Sequence, residues 1–445
     1  MARRSKRPIS DYGIVVVLVG LCGLFSLLTN TRHQPRGASA ARQIERQLAA
    51  SSQPLSRIVV LGRATAEERQ FMEAIVSALR PRGIELVVVE GDPPDVRRRL
   101  LELHRRELPV DLIICSETVA GWSLLASLAD DFPGMGTPRL LSPQGYFWPT
   151  FLTAANLLNV ANQISVIAIM AIGMTMVIIA GGIDLSVGSL VALSAVVTGL
   201  VIRDVAGALE AGAAGMTLAS AIGIAVCGCV GLVSGLVLTR FRIPPFIMTL
   251  GMMLMVGGVA SKLTNNESVY QIPDSFTWLG RGATWGVPHA VILTVTLYLL
   301  AWFVMTRTVF GRHLYAVGGN AAAARLSAVP VKRVVVSSYV ISALMAGLGG
   351  VVMTSNLKSA SPSYGVMYEL YVIAAVVVGG TSLSGGEGKV LGTLLGALVI
   401  AVINNGMNLL NVESNMQRVV LGLLIVGAVL MDRLQRFGWH QRMSE

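Results

Sequence analysis

The residues best placed to do chemistry are one acid and a set of hydroxyls and amides among glycines. Asp184 stands in Ala180-Gly181-Gly182-Ile183-Asp184-Leu185-Ser186-Val187-Gly188-Ser189, between two long apolar runs, and is the only acid in that neighbourhood. Nearly the same phrase returns as Gly379-Gly380-Thr381-Ser382-Leu383-Ser384-Gly385-Gly386. Aligned from the double glycines, roughly five of eight positions are identical. Asn404, Asn405 and Asn408 follow it. Ser186, Thr381, Ser382, Ser384 and these amides offer weak, neutral hydrogen bonds. Such bonds suit a neutral polar solute better than a charged one, and they hold it weakly. An ionisable group inside a membrane span is a functional candidate by default. Asp184 has a second reading, as the cap of a helix that starts near Ser186. Gly181, Gly182, Gly188, Gly379 and Gly380 fit bends and close packing.

Other chemistries are missing. No Gly-Lys-Ser/Thr phosphate loop is present, so the chain does not hydrolyse ATP by that route. The five histidines are dispersed, and the four cysteines show neither zinc nor redox spacing. Cys227 and Cys229 point about 200° apart on a helix, which makes them packing residues. No enzyme, metal or cofactor is expected.

Membrane-spanning helices must position the polar set. The chain has 445 residues, 53% hydrophobic and 13% charged, against about 25% charged in soluble domains. Its net charge of +10 belongs to basic residues beside apolar runs, as positive-inside charge, and not to a nucleic-acid surface. Arg3, Arg4, Lys6 and Arg7 precede an apolar run from Tyr12 to Leu28. That is a retained first helix with a cytoplasmic start. A signal peptide begins the same way, but the small-residue site Ala38-Ser39-Ala40 lies well beyond the run. Further spans are expected at 163–180, 189–203, 214–238, 244–262, 288–306, 334–354, 368–381, 390–408 and 417–431, about ten with the first. An even count returns the C-terminus to the cytoplasm. Arg240, Arg242, Arg307, Arg312, Arg325, Lys332, Arg333, Arg433, Arg436 and Arg442 then fall inside, and the 263–287 loop outside.

Between the first helix and the rest lies a soluble pattern. Residues 30–55 read as a polar linker with a short helix at 41–50. Strand signals at 57–62, 83–89, 110–115 and 138–142 alternate with helical stretches at 66–79, 95–106 and 119–130, which means a parallel sheet with crossover helices. The expected fold is therefore mainly α: a polytopic helical membrane protein in two pseudo-repeated halves, with a small α/β domain inserted after the first helix. Its parts are a cytoplasmic N-terminus and first helix (1–29), a linker (30–55), an extracytoplasmic α/β domain (56–143), a transmembrane domain (144–437) and a cytoplasmic tail (438–445). Tyr146, Phe147 and Trp148, followed by Asn156, Asn159, Asn162 and Gln163, suit an interfacial stretch.

The largest loop on the inner side, 306–333, holds Gly318-Gly319-Asn320-Ala321-Ala322-Ala323-Ala324-Arg325-Leu326-Ser327-Ala328-Val329. Four alanines then Arg and Leu favour a short helix, with Asn320 as its N-cap. Such a helix is either an ordinary amphipathic loop element or a handle for a motor subunit. Glycine-interrupted apolar segments at matching places in two halves point to a solute path, because opening a helix in lipid frees backbone groups that only protein or water can satisfy.

Four stretches carry a resemblance: 168–193; Gly311-Arg312-His313-Leu314-Tyr315-Ala316-Val317-Gly318-Gly319-Asn320 through Val329; Tyr368-Glu369-Leu370 through Asn408; and Pro244-Pro245-Phe246-Ile247-Met248-Thr249-Leu250-Gly251. They resemble the ribose-type (monosaccharide) ABC transporter permeases over roughly residues 150–437. The resemblance implies an inner-membrane importer subunit. It works with a cytoplasmic ATPase, an extracytoplasmic solute-binding protein and a second copy of itself or a paralogous permease. It also implies that Gly318 to Ala328, with Asn320, Ala321, Ala324, Arg325, Leu326 and Ser327, form the ATPase coupling segment, and that the two broken stretches line the path. The chain departs from the family pattern at Ala321 (usually an acid), Ala328 (usually glycine) and Tyr371 (usually an acid), which makes the coupling contact less polar. The insert, with Leu108-Pro109-Val110-Asp111-Leu112-Ile113-Ile114-Cys115, resembles one lobe of a sugar-type periplasmic binding protein. Its outer placement suggests tuning of, or substitution for, binding-protein docking. Two other readings stay open: a permease for another solute such as a nucleoside or branched amino acid, and a transporter-derived sensor or scaffold.

Overall fold

The computed structural model describes residues 8–35, 37–49 and 55–443. The basic start with Arg3, Arg4, Lys6 and Arg7 therefore lies outside the described residues. The chain divides into two units, Asn30–Pro149 and the remainder (Met1–Thr29 with Thr150–Glu445).

The chain begins with helix α1 (Pro8–Leu28) and passes into the soluble unit through strand β1 (Asn30–His33) and helix α2 (Gly37–Ala49). Then come β2 (Arg57–Gly62), α3 (Ala66–Leu79), β3 (Glu85–Glu90), α4 (Pro93–Arg105) and β4 (Leu112–Cys115). They are followed by three single-turn helices, α5 (Glu117–Ala120), α6 (Ser123–Ala126) and α7 (Leu128–Asp131), and by strands β5 (Arg139–Leu141) and β6 (Tyr146–Pro149). The sheet order is β3-β2-β4-β5, with all neighbours parallel. Alternation along β2 sorts the core. Ile58 and Val60 join Phe71, Ile75 and Leu79 on one face; Val59 and Leu61 join Val96, Leu100 and Ile113 on the other. The Asp111 carboxylate accepts from the Ser56 and Arg57 amides at 2.6 and 2.9 Å and fixes the start of β2. Burial pushes the Cys115 thiol up to about 12, so it stays protonated.

Three expectations change here. The short helix expected at 41–50 is α2, which starts at Gly37 and belongs to the domain and not to a linker: its Ala40, Ala41, Ile44 and Leu48 are buried in the sheet's core. Their i, i+1, i+4, i+8 spacing makes one apolar stripe that polar neighbours masked in the sequence. The aromatic stretch at 146–148 forms β6, paired antiparallel with β1, so the unit ends at Pro149 and not at 143. The expected third helix is three short turns, interrupted at Gly121-Trp122 and at Ser127.

The membrane unit continues with α8 (Ala154–Ile179), α9 (Val187–Asp204), α10 (Ala213–Phe241), α11 (Pro245–Leu263) and a short α12 (Trp278–Arg281). A β7–β8 hairpin (Ala283–Thr284, Val287–Pro288) leads into α13 (His289–Arg307), α14 (Val309–Gly319), α15 (Ala321–Leu326) and α16 (Val331–Leu357). The chain closes with α17 (Tyr368–Val378), α18 (Val390–Leu409) and α19 (Ser414–Met443). Among the described residues seven helices are long and apolar enough to cross a membrane: α8, α9, α10, α11, α13, α16 and α18; Gly13–Leu28, Tyr368–Val378 and Ser414–Leu430 are shorter apolar helices. The protein is thus mainly helical and polytopic.

Helix α8 is the hub. Every residue from Ile164 to Ile179 is buried. It begins nine residues before the expected 163, because the amides read as interfacial are satisfied inside the bundle. Asn156 and Asn405 exchange two amide hydrogen bonds, both 2.9 Å, and Asn162 donates to the Gly280 carbonyl at 3.1 Å. Helix α16 packs beside α10 through small residues. A Cβ at Gly231 would come within 2.6 Å of the Tyr339 carbonyl, and one at Gly235 within 2.9 Å of Val336. Close backbone approach of this kind replaces the hydrophobic drive that lipid cannot supply. The chain leaves and re-enters this unit at one point: Thr150 N–H donates to the Thr29 carbonyl at 2.9 Å.

Candidate functional site

Both glycine phrases end a helix in the same way. Helix α8 stops at Ile179, and Gly181 takes a φ of 86°. Gly182 N–H then reaches back to Val177 and Gly181 N–H to Ile178, both at 2.9 Å. Helix α17 stops at Val378, and Gly380 takes a φ of 84°. Thr381 N–H reaches Val376 at 3.1 Å and Gly380 N–H reaches Val377 at 2.9 Å. This paired 6→1 and 5→2 bonding is a Schellman cap, in which the left-handed position favours glycine. The geometric partner of Gly181 is therefore Gly380, one residue away from the pairing that gives the best sequence identity.

After the first cap five residues, 182–186, lead to α9. Asp184 is 2% exposed. Its Oδ1 accepts from the Ser186 amide at 3.0 Å and the Ser186 hydroxyl at 2.6 Å. Its Oδ2 accepts from the Ser342 hydroxyl of α16 at 2.9 Å. The acid thus closes a turn just before α9, whose N-cap is Ser186 without a side-chain cap bond, and ties that turn to α16. Both oxygens are occupied by protein donors. Nearby, the Thr249 hydroxyl donates to the Ile183 carbonyl at 3.1 Å. Gly188, in the first turn of α9, lies under Glu369 of α17, and a Cβ there would also meet the Gly365 carbonyl.

The second break spans nine residues, 381–389, and carries no buried acid. Its internal bonds are Ser382 N–H to the Glu387 carbonyl at 3.0 Å, Gly385 N–H to the Ser382 carbonyl at 3.1 Å, and Ser384 N–H to the Ser382 hydroxyl at 3.2 Å. Thr381 and Ser382 are buried, and Ser384 is exposed. The Thr381 hydroxyl oxygen has no hydrogen-bond partner. Gly379 is held tightly, since a Cβ would sit 2.6 Å from the Gly392 carbonyl and 2.7 Å from Thr393 Cα. Asn404 is half-buried. Asn405, expected in the path, is instead committed to Asn156.

The stretch read as a coupling segment lies in α14, α15 and the start of α16. Asn320 caps α15 as its sequence required, with Oδ1 accepting from Ala322 and Ala323 at 3.0 and 2.9 Å. Ala324 faces inward, while Ala321, Arg325, Ser327 and Ala328 are exposed and Leu326 is 90% exposed. Helix α15 also ends in a Schellman cap, with Val329 N–H to Ala324 and Ala328 N–H to Arg325, at 3.0 and 3.1 Å. Its left-handed residue is Ala328, with a φ of 59°, a position that favours glycine. Tyr371, the third departure noted in the sequence, meets Tyr368 edge-on at 6.4 Å between ring centroids.

Three contacts escaped the sequence. Ser342 carried no signal as the partner of Asp184. Tyr339 is 1% exposed, its hydroxyl has no partner, and it lies where a Cβ on Gly182 would be. Tyr315 of α14 donates to the Gly388 carbonyl at 2.8 Å. In the soluble unit, a cleft of about 110 Å³ opens among Gln34, Glu67, Glu68, Ser116, Glu117 and Thr118.

Residues 156–429 match the family described as branched-chain amino acid transport system / permease component. The ribose import permease of Escherichia coli K12 is 44% identical over 288 residues, 64% of this chain and 87% of the relative. The D-allose transport system permease of the same organism is 37% identical over 284 residues, 64% and 85% of the two chains. The L-arabinose ABC transporter permease of Azospirillum brasilense is 35% identical over 288 residues, 65% and 83%. No solved structure matches.

Proposed function

The chain belongs to the branched-chain amino acid transport system / permease component family, and from that premise we infer how it works. It is the permease subunit of a sugar ABC importer, as its ribose, allose and arabinose relatives are named. It is a multi-pass membrane protein and a transport subunit, not an enzyme. ATP hydrolysis belongs to a partner, and solute is delivered by a binding protein.

One observation carries the finer reading: α15 is a capped helix, anchored by Ala324, that presents Leu326 and Arg325 outward in the segment joining the long apolar helices α13 and α16. This is the shape of a handle for a cytoplasmic ATPase. The basic residues Arg307, Arg312, Arg325, Lys332 and Arg333 around it put the arm on the cytoplasmic side. The two broken stretches then flank the path of each copy in a two-copy assembly. The α/β unit, as an extracytoplasmic domain, tunes docking of the binding protein.

The test is ATP hydrolysis in proteoliposomes holding the full chain, the ATPase and the binding protein encoded beside it. Hydrolysis should rise with one sugar-loaded binding protein. A wild-type chain that recruits no ATPase, where a control importer does, defeats the reading. Replacing Asn30–Pro149 by a short linker should preserve folding, since Thr29 and Thr150 already touch. Uptake unchanged after that excision would dismiss the docking role.

A further inference from the structure

The end of α14 is wedged against both broken stretches at once, backbone to backbone. A Cβ added at Gly318 would overlap the Ile179 carbonyl oxygen and lie 2.5 Å from the Gly386 amide nitrogen. Gly386 N–H itself donates to that Ile179 carbonyl at 2.8 Å. A Cβ at Gly385 would stand 3.0 Å from the Gly318 carbonyl and 3.1 Å from Gly181 Cα, and one at Gly386 would lie 2.7 Å from Gly319. Five glycines from three distant parts of the chain thus form one knot. Tyr315, one turn earlier on α14, adds its bond to Gly388. Helix α16, which follows α15, holds the first stretch a second time, through Tyr339 against Gly182 and Ser342 on Asp184.

Side chains at a contact absorb small displacements by changing rotamer. Glycines have none, so a shift of one backbone must push the next. Close-packed interiors transmit strain for the same reason. We propose that this knot is the transmission point of the importer, through which movement of α15 reaches both broken stretches together. The proposal rests on the coupling role of α15 given above. It assigns Gly181, Gly318, Gly319, Gly385 and Gly386 as positioning residues that need touch neither solute nor ATPase.

The experiment measures solute moved per ATP hydrolysed, in proteoliposomes with the complete complex. Gly318→Ala should lower that ratio at least tenfold. Gly427→Ala, whose Cβ meets nothing within 4 Å, should stay within twofold of wild type. Loss of assembly alone would lower uptake and hydrolysis together and leave the ratio intact. A Gly318→Ala complex that keeps the wild-type ratio overturns the proposal. Should that variant not assemble, hydrogen exchange on the wild-type complex decides. The Gly386 amide should be protected at rest and lose protection when the ATPase is trapped with vanadate. Protection that persists overturns the proposal. A wild-type complex that does not couple at all counts against the functional reading itself.

Discussion

The two broken stretches solve one problem with opposite assignments. Each needs one glycine for a left-handed cap and one for close approach. In the first copy the cap falls to Gly181, where an added Cβ would meet nothing within 4 Å, and the approach to Gly182, against Tyr339. In the second copy the close approach comes first, at Gly379 against Gly392, and the cap second, at Gly380. The first copy is then pinned by a buried acid and two serines. The second is held by its own backbone and by the knot. A shared Gly-Gly therefore does not mean shared roles. The neighbour that happens to press on each helix end decides which glycine must stay small.

The sharpest break of this comparison is the order of severity on alanine substitution. Gly379→Ala should cost several kcal/mol, because its Cβ meets rigid backbone and overpacking costs about 1–3 kcal/mol even where side chains can shift. Gly380→Ala should cost only about 1–2 kcal/mol, the penalty of a left-handed residue. In the first copy the order should reverse, with Gly182→Ala worse than Gly181→Ala. Thermal unfolding in detergent reads all four, and the same order in both copies would refute the swap.

Next in size is the acid that only the first copy has. Asp184→Ala leaves Ser342 and Ser186 donors without an acceptor, at about 1–3 kcal/mol for each buried unsatisfied group. It should lower both unfolding temperature and uptake. Ser342→Ala removes one of three donors and should cost less. Uptake by Asp184→Ala at the wild-type level would show that the pinning difference has no consequence for transport.

The smallest effect sharpens the cap argument itself. Ala328→Gly puts glycine at the third Schellman cap and should stabilise the chain by about 1 kcal/mol. ATPase co-purification with this variant would be at least that of wild type. A destabilised variant would mean that the φ of Ala328 is not strained in the assembled complex.

Much of this was legible in the residues. The apolar runs marked the membrane helices, because a helix in lipid must be apolar for its whole length. Asn320 marked the start of α15, because capping is a local bond between neighbours in sequence. The parallel strands around 57–62 and 110–115 were visible because buried strands read as continuous apolar runs. Less visible were the packing of α2 into the sheet's core, since its stripe is too narrow to outweigh its Arg and Gln residues, and the start of α8, where Asn156 and Asn162 find partners more than a hundred residues away. Asn405 could not be told from a path residue for the same reason.

By itself, then, the sequence determined the family, the broken helices, and the short helix α15 with its cap. All of these rest on short-range patterns of apolarity, glycine and capping type. Only the tertiary structure decided that Asp184 is occupied by Ser186 and Ser342, that Gly181 corresponds to Gly380 rather than Gly379, and that Gly318 meets both breaks. Those facts are set by which backbones approach within van der Waals contact, and a glycine looks the same in sequence whether it bends the chain or makes room for a neighbour.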